Sequence, residues 1–168
     1  MAVWDTSVAS GLRPESALFD LAHTAALTGD PIRLASPTVA EISYGLGRHS
    51  GEERFENALR WFAEILRAGL VEVIPVSREA ALLSGRLRAL RPAPPAGGGR
   101  RSDPRPKPER RVAWAADIQI AACAWLNGQA VCTADQGHFA LLSEAIAELF
   151  PEYGRLEVLP APPSALES

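Results

Sequence analysis

The run AADIQIAACAWLNGQAVCTAD, residues 115–135, decides how the chain is built. Ile118, Ile120, Ala121, Ala122 and Ala124 leave almost no polar face, and a helix that is apolar nearly all round belongs inside a protein. This helix is expected from Val112 to about Asn127. Val131-Cys132-Thr133 then reads as a short apolar strand. Each of these elements carries one acid, Asp117 at the start of the apolar run and Asp135 just past the strand.

Working outward, the same alternation recurs. Ala2 to Trp4 reads as a strand ending at Asp5. Pro14 and Glu15 open a helix with Leu18, Leu21, Ala22, Ala25 and Leu27 at helical spacing, stopped by Gly29-Asp30-Pro31. Ile32 to Ala35 is a second strand. Ser36 is the expected N-cap and Pro37 a first-turn proline of a helix reaching about Arg48, with Glu41 in its first turn. A helix over Glu52 to Ala68 follows, then a strand from Val71 to Val76 that Pro75 interrupts. Ser77 starts the next helix. Phe139 to Phe150 and Leu156 to Leu159 supply a last helix and strand. Strands alternating with helices predict an α/β sandwich around a mainly parallel sheet. The sequence reads as one domain over residues 1–160, with a frayed tail at 161–168.

Composition bounds the function. The chain has 168 residues and a net charge of −3, enough for one substantial core. No stretch approaches the roughly 20 apolar residues of a membrane span. The N-terminus lacks the basic flank and long apolar region of a signal peptide, so the expected location is cytoplasmic. Cys123 and Cys132 read as small buried hydrophobes, and no CxxC or paired-His spacing supports zinc. Basic charge concentrates in Arg86, Arg88, Arg91, Arg100, Arg101, Arg105, Lys107, Arg110 and Arg111, opposed only by Asp103 and Glu109. Within it, residues 91–111 are rich in proline and contain Gly97-Gly98-Gly99. Such a segment buries too little to offset its ordering entropy, so a flexible insertion is expected. It is either a solvated loop or a recruiter of polyanions.

Four acids stand where strands or helices begin or end: Asp5, Glu41, Asp117 and Asp135. Each has a plainer reading. Asp5 can cap the following helix, Glu41 can complement a helix dipole, and Asp135 can be a turn residue. Asp117 resists such a reading, because an unpaired carboxylate in a buried helix is costly. In parallel sheets ligands bind at the carboxyl ends of strands, and all four acids can point there. Carboxylates gathered at one point fit a hard divalent cation, and hence metal-dependent phosphoryl transfer. Thr133 adds a hydroxyl suited to a bound water or a phosphate oxygen. Trp61, Phe62, Trp114, Trp125 and Phe139 are expected in core or dimer contacts rather than as stacking platforms.

Val3-Trp4-Asp5-Thr6-Ser7, Thr38-Val39-Ala40-Glu41-Ile42, Ala116-Asp117-Ile118-Gln119-Ile120-Ala121-Ala122 and Thr133-Ala134-Asp135-Gln136-Gly137-His138-Phe139 together resemble the PIN-domain family, specifically its VapC-type ribonuclease toxins. The match covers nearly the whole chain. The resemblance implies a three-layer α/β/α domain and a Mg²⁺- or Mn²⁺-dependent endoribonuclease that is neutralised by a cognate VapB-type antitoxin and usually forms a homodimer. It makes Asp5, Glu41, Asp117 and Asp135 the metal-binding quartet, with Thr6 and Thr133 as accessory hydroxyls. It also implies that the helices at Glu15 to Thr28 and Glu52 to Ala68 receive the antitoxin. Two departures stand out. Many relatives have an Asp where this chain has His138, for which a capping or surface role is expected ahead of a contact to substrate phosphate, and the 91–111 insertion is longer than usual. The alternative reading is a catalytically weak RNA- or protein-binding module with a structural metal ion. A nuclease acting on DNA flaps is a third, disfavoured because added DNA-binding helices are lacking.

Overall fold

Neighbouring residues along each strand enter different cores. Val3, Ala35, Ile74 and Val131 belong to one buried cluster, while Trp4, Leu34, Val71 and Cys132 belong to another. A strand buried on both faces needs helices on both faces, and the computed structural model, which describes residues 2–49, 51–95 and 107–163, has them. In chain order the elements are β1 (Ala2–Trp4), α1 (Thr6–Ala9), α2 (Ala17–Leu27), β2 (Ile32–Ala35), α3 (Ser36–Gly47), α4 (Glu53–Arg67), β3 (Val71–Ile74), α5 (Arg78–Leu90), α6 (Lys107–Leu126), β4 (Ala130–Thr133), α7 (Gln136–Leu149) and β5 (Val158–Pro160). Side chains of α5, α6 and α7 fill the first core; those of α1, α2 and α4 fill the second. The expected three-layer α/β/α arrangement is the one found.

The five strands form a single sheet in the order β3-β2-β1-β4-β5, parallel throughout. The chain steps outward from β1 through β2 to β3, then crosses back to lay β4 on the other side of β1. Strand order therefore reverses between β1 and β4, and the carboxyl ends of those two strands border the crevice that this reversal opens.

Several expected boundaries shift, each for a local reason. The helix expected from Val112 begins at Lys107, so residues 107–111 of the predicted insertion are helical. Pro108 falls in its first turn, where a missing N–H leaves no hydrogen bond unmade. Residues 96–106 of that insertion lie outside the described residues. Ser36 is not the cap of α3: Ala35 takes that position, and Ser36 Oγ accepts from the Val76 N–H at 3.3 Å. The β3 strand stops at Ile74, ahead of Pro75. The last strand pairs over Val158–Pro160, since Leu156 is committed to the core before pairing starts. The first tail residue is not frayed. Ala161 is buried and its N–H donates to the Thr133 carbonyl at 2.9 Å. Residues 164–168 lie outside the described residues. No helix among the described residues is long and apolar enough to cross a membrane.

Candidate active site

A side-chain hydrogen bond helps close the crevice between β1 and β4. Thr133 Oγ1, at the end of β4, donates to Asp5 Oδ2, just past β1, at 2.8 Å. Asp5 is only 3% exposed. Its other oxygen, Oδ1, accepts from Ser7 Oγ at 2.7 Å and from the Val8 N–H at 3.1 Å. The latter bond makes Asp5 the N-cap of α1, so capping and site placement are one arrangement. Burial, above all, pushes the Asp5 carboxyl pKa up. The bonds from Ser7, Thr133 and Val8 pull it down, and the negative charge of Asp117 pushes it up further. Asp5 and Asp117 thus feel each other's charge.

Two further side-chain links surround this pair. Thr6, next to Asp5, donates its hydroxyl to Glu41 Oε2 in a short hydrogen bond. On the other side, His138 Nδ1 lies 3.0 Å from Asp117 Oδ2 and 3.1 Å from Asp135 Oδ2. Nδ1 is thus within hydrogen-bonding distance of both carboxylates. Trp114 packs against the His138 ring edge-on, with centroids 5.4 Å apart. Asp135 caps α7 by accepting from the His138 N–H at 3.3 Å, and its own N–H donates to Thr133 Oγ1 at 2.8 Å. Ser7 Oγ accepts from the Ala134 N–H at 2.9 Å, tying the α1 turn to the β4–α7 turn.

The donor set fits a hard cation: its acids offer oxygen, and a positive charge would offset both the desolvation of Asp5 and its repulsion by Asp117. Among the described residues no group of three or more histidine, cysteine, aspartate or glutamate side chains is arranged to hold a metal ion as it stands. The two thiols stay protonated. Burial raises Cys123 to about 11, and burial with the nearby Asp5 charge raises Cys132 to about 11.

No protein-family profile matches the sequence, and no curated protein matches it. Solved structures do match. A chain of FitAcB from Neisseria gonorrhoeae aligns at 22% identity over 95% of this chain and 96% of that chain, with a TM-score of 0.58. One from DNA-bound VapBC of Salmonella typhimurium aligns at 19% identity over 95% and 98%, with a TM-score of 0.54. One from VapBC2 of Rickettsia felis, bound to a DNA fragment from their promoter, aligns at 18% identity over 95% and 97%, with a TM-score of 0.55. The fold is PIN-like.

Within this PIN-like frame the six expected site residues fall into three linked groups at the carboxyl end of the sheet: Asp5 with Thr133, Thr6 with Glu41, and Asp117 with Asp135 through His138. The first-turn placement of two acids is corrected. Glu41 lies a full turn into α3, and Asp117 lies midway along α6, because that helix starts earlier than its arginine-rich beginning led one to expect. His138 is corrected too: its side chain is 23% exposed and joins two acids rather than facing solvent. The bridging hydroxyl of Ser7 is a site group that sequence reasoning passed over, and the His138 ring is one it singled out without its link to the two acids. The only signal was position, Ser7 two residues past Asp5 and His138 three past Asp135.

Proposed function

We propose that this chain is the toxin of a toxin–antitoxin pair, a Mg²⁺- or Mn²⁺-dependent endoribonuclease that hydrolyses RNA phosphodiester bonds and is held in check by a cognate VapB-type antitoxin. The observation that carries the reading is the Asp5 carboxylate, buried at the strand-order reversal with its pKa raised by burial and by Asp117. Capping α1 needs only an acceptor at this position, and a bound cation would offset the cost of burying the charge beside Asp117. The likeness to chains of FitAB and VapBC complexes supports the antitoxin partner. Homodimer formation belongs to the same reading.

Asp5 and Asp117 would hold the cation, with Asp135 and Glu41 completing the acidic quartet around them. When bound, the ion lowers the pKa of a water and offsets charge on the phosphate oxygens. The chain's own groups do the rest. Thr133, Ser7 and the Val8 N–H fix the orientation of Asp5, so that no reorganisation is needed as charge develops. His138 holds Asp117 and Asp135 together, and Thr6 holds Glu41. A carboxylate of this group takes the proton of the attacking water as the new P–O bond forms and the P–O bond to the leaving ribose oxygen breaks.

Purified protein incubated with RNA and Mg²⁺ or Mn²⁺ is the test. Cleavage is expected, and Asp5→Asn or Asp117→Asn should lower it about a hundredfold or more while circular dichroism stays unchanged. An Asp117→Asn protein that cuts RNA and arrests growth like its parent would show that these acids are not an enzymatic site.

A further inference from the structure

His138 lies in the first turn of α7, and its ring turns toward the site rather than away from it. Nδ1 stands 3.0 Å from Asp117 Oδ2, on α6, and 3.1 Å from Asp135 Oδ2, at the cap of α7. The other Asp135 oxygen accepts from the His138 backbone N–H at 3.3 Å. Trp114, one turn before Asp117 on α6, meets the ring edge-on. The other two histidines are placed differently. His49 faces one carboxylate, Glu52 Oε1 at 3.7 Å, from an exposed position, and His23 stacks on Phe19. Among the described residues, only His138 sets a ring nitrogen between two carboxylates.

That position has two effects. Asp117 and Asp135 each reach the same nitrogen, so they are near enough for like charges to repel, and the imidazole joins them. The second effect is competition. A hydrogen bond puts a proton on the line between nitrogen and oxygen, whichever partner carries it. A Mg²⁺ ion shared by these acids needs an oxygen of each at about 2.0–2.1 Å. While the imidazole link is in place, that space is filled. Accordingly, no group of three or more such side chains among the described residues is arranged to hold an ion. The ring has a way out. Its side chain is 23% exposed, so rotation about its own bonds turns it to solvent, while the backbone N–H keeps the α7 cap.

We propose that His138 is the resident counter-group of the acidic site: its imidazole links Asp117 and Asp135 while no cation is bound, and a divalent cation must displace it to load the site. The proposal rests on the cation site read above. His138 then stabilises the ion-free protein and raises the cation concentration at which the acids fill. A histidine that ligated the ion would instead tighten its binding, so the sign of the change in affinity decides between them.

The test is isothermal titration calorimetry of the full chain with Mg²⁺ and with Mn²⁺, comparing the parent with His138→Ala and, as a control, His49→Ala. Mg²⁺ should bind His138→Ala at least about tenfold more tightly than the parent, the equivalent of one hydrogen bond to a charged group that no longer has to be broken. In chelator-treated buffer that variant should melt about 2–4 °C or more below its parent, and saturating Mg²⁺ should close or invert the gap. His49→Ala should bind within about twofold of the parent. NMR of the parent needs no variant: the His138 ring signals, shifted by the neighbouring Trp114 ring, should move as Mg²⁺ saturates. Weaker Mg²⁺ binding in His138→Ala overturns the proposal, because it makes the imidazole a ligand. Equal affinity also overturns it, as do ring signals that stay in place while the ion binds. If parent and His138→Ala bind alike and Asp5→Asn binds no ion, the cation reading stands and only the role of His138 fails. If neither parent nor His138→Ala binds Mg²⁺ or Mn²⁺, the cation reading fails with it.

Discussion

Asp5 is held by three donors in a place where water cannot solvate its charge, and the two effects oppose each other. Burial wins, so the folded-state pKa lies above that of the unfolded chain. The folded protein keeps the Asp5 proton longer as the pH climbs. The stability tied to that proton is whole below the unfolded-state pKa and is lost as the pH rises through the folded-state pKa. In chelator-treated buffer, Asp5→Asn should therefore gain in Tm relative to its parent as the pH is raised from acid to neutral, and a gap that does not change with pH would count against this. Thr133 gives a second handle, because its hydroxyl donates to Asp5 and accepts from the Asp135 N–H. Thr133→Val keeps the shape and removes both bonds, so urea titration should show a loss of roughly 1–3 kcal/mol that Thr133→Ser largely restores. An equal loss in both variants would assign the effect to packing instead. Asp5 and Thr133 were legible in the sequence because each ends a short apolar strand. Ser7 and His138 were not, since nothing local says that a serine reaches across to Ala134 or that a histidine bridges acids on two helices.

At the scale of elements, caps and prolines were the readable punctuation. Ser77 begins α5 as expected, its hydroxyl accepting from the Ala80 N–H at 3.1 Å. Ser77→Ala should cost about 1 kcal/mol, or about 2–4 °C in Tm, and calorimetry that finds no change would remove the cap from the account of α5. Ser36 shows where the same reasoning fails: β2 passes into α3 without a connecting residue, so the serine is already helical and its side chain serves Val76 instead. The α1 helix was invisible for a related reason. Four residues carry no periodicity, and its one signal, Asp5 as a possible cap, does not by itself mark out a helix. The early start of α6 was hidden by composition, since a Pro- and Arg-rich run reads as a loop although Pro108 is harmless in a first turn.

For the molecule as a whole, the alternation of strands and helices was enough to place helices on both faces of the sheet, because the central strands β1 and β4 are too apolar to leave a face in water. Strand order was not legible; it depends on which apolar edges meet, and no single segment records that. Yet the order has a consequence for how the protein is made. The bond that helps close the crevice joins residues 128 positions apart, and β1 sits between β2 and β4. A chain leaving the ribosome can pair β1 with β2 early, but the other edge of β1 must wait until β4 has been synthesised. Asp5 spends that interval without Thr133, and a truncated chain ending before β4 lacks half the crevice. For a protein proposed to cut its own host's RNA, the topology works as a delay: the nascent polypeptide stays unarmed until β4 has been made and has paired with β1.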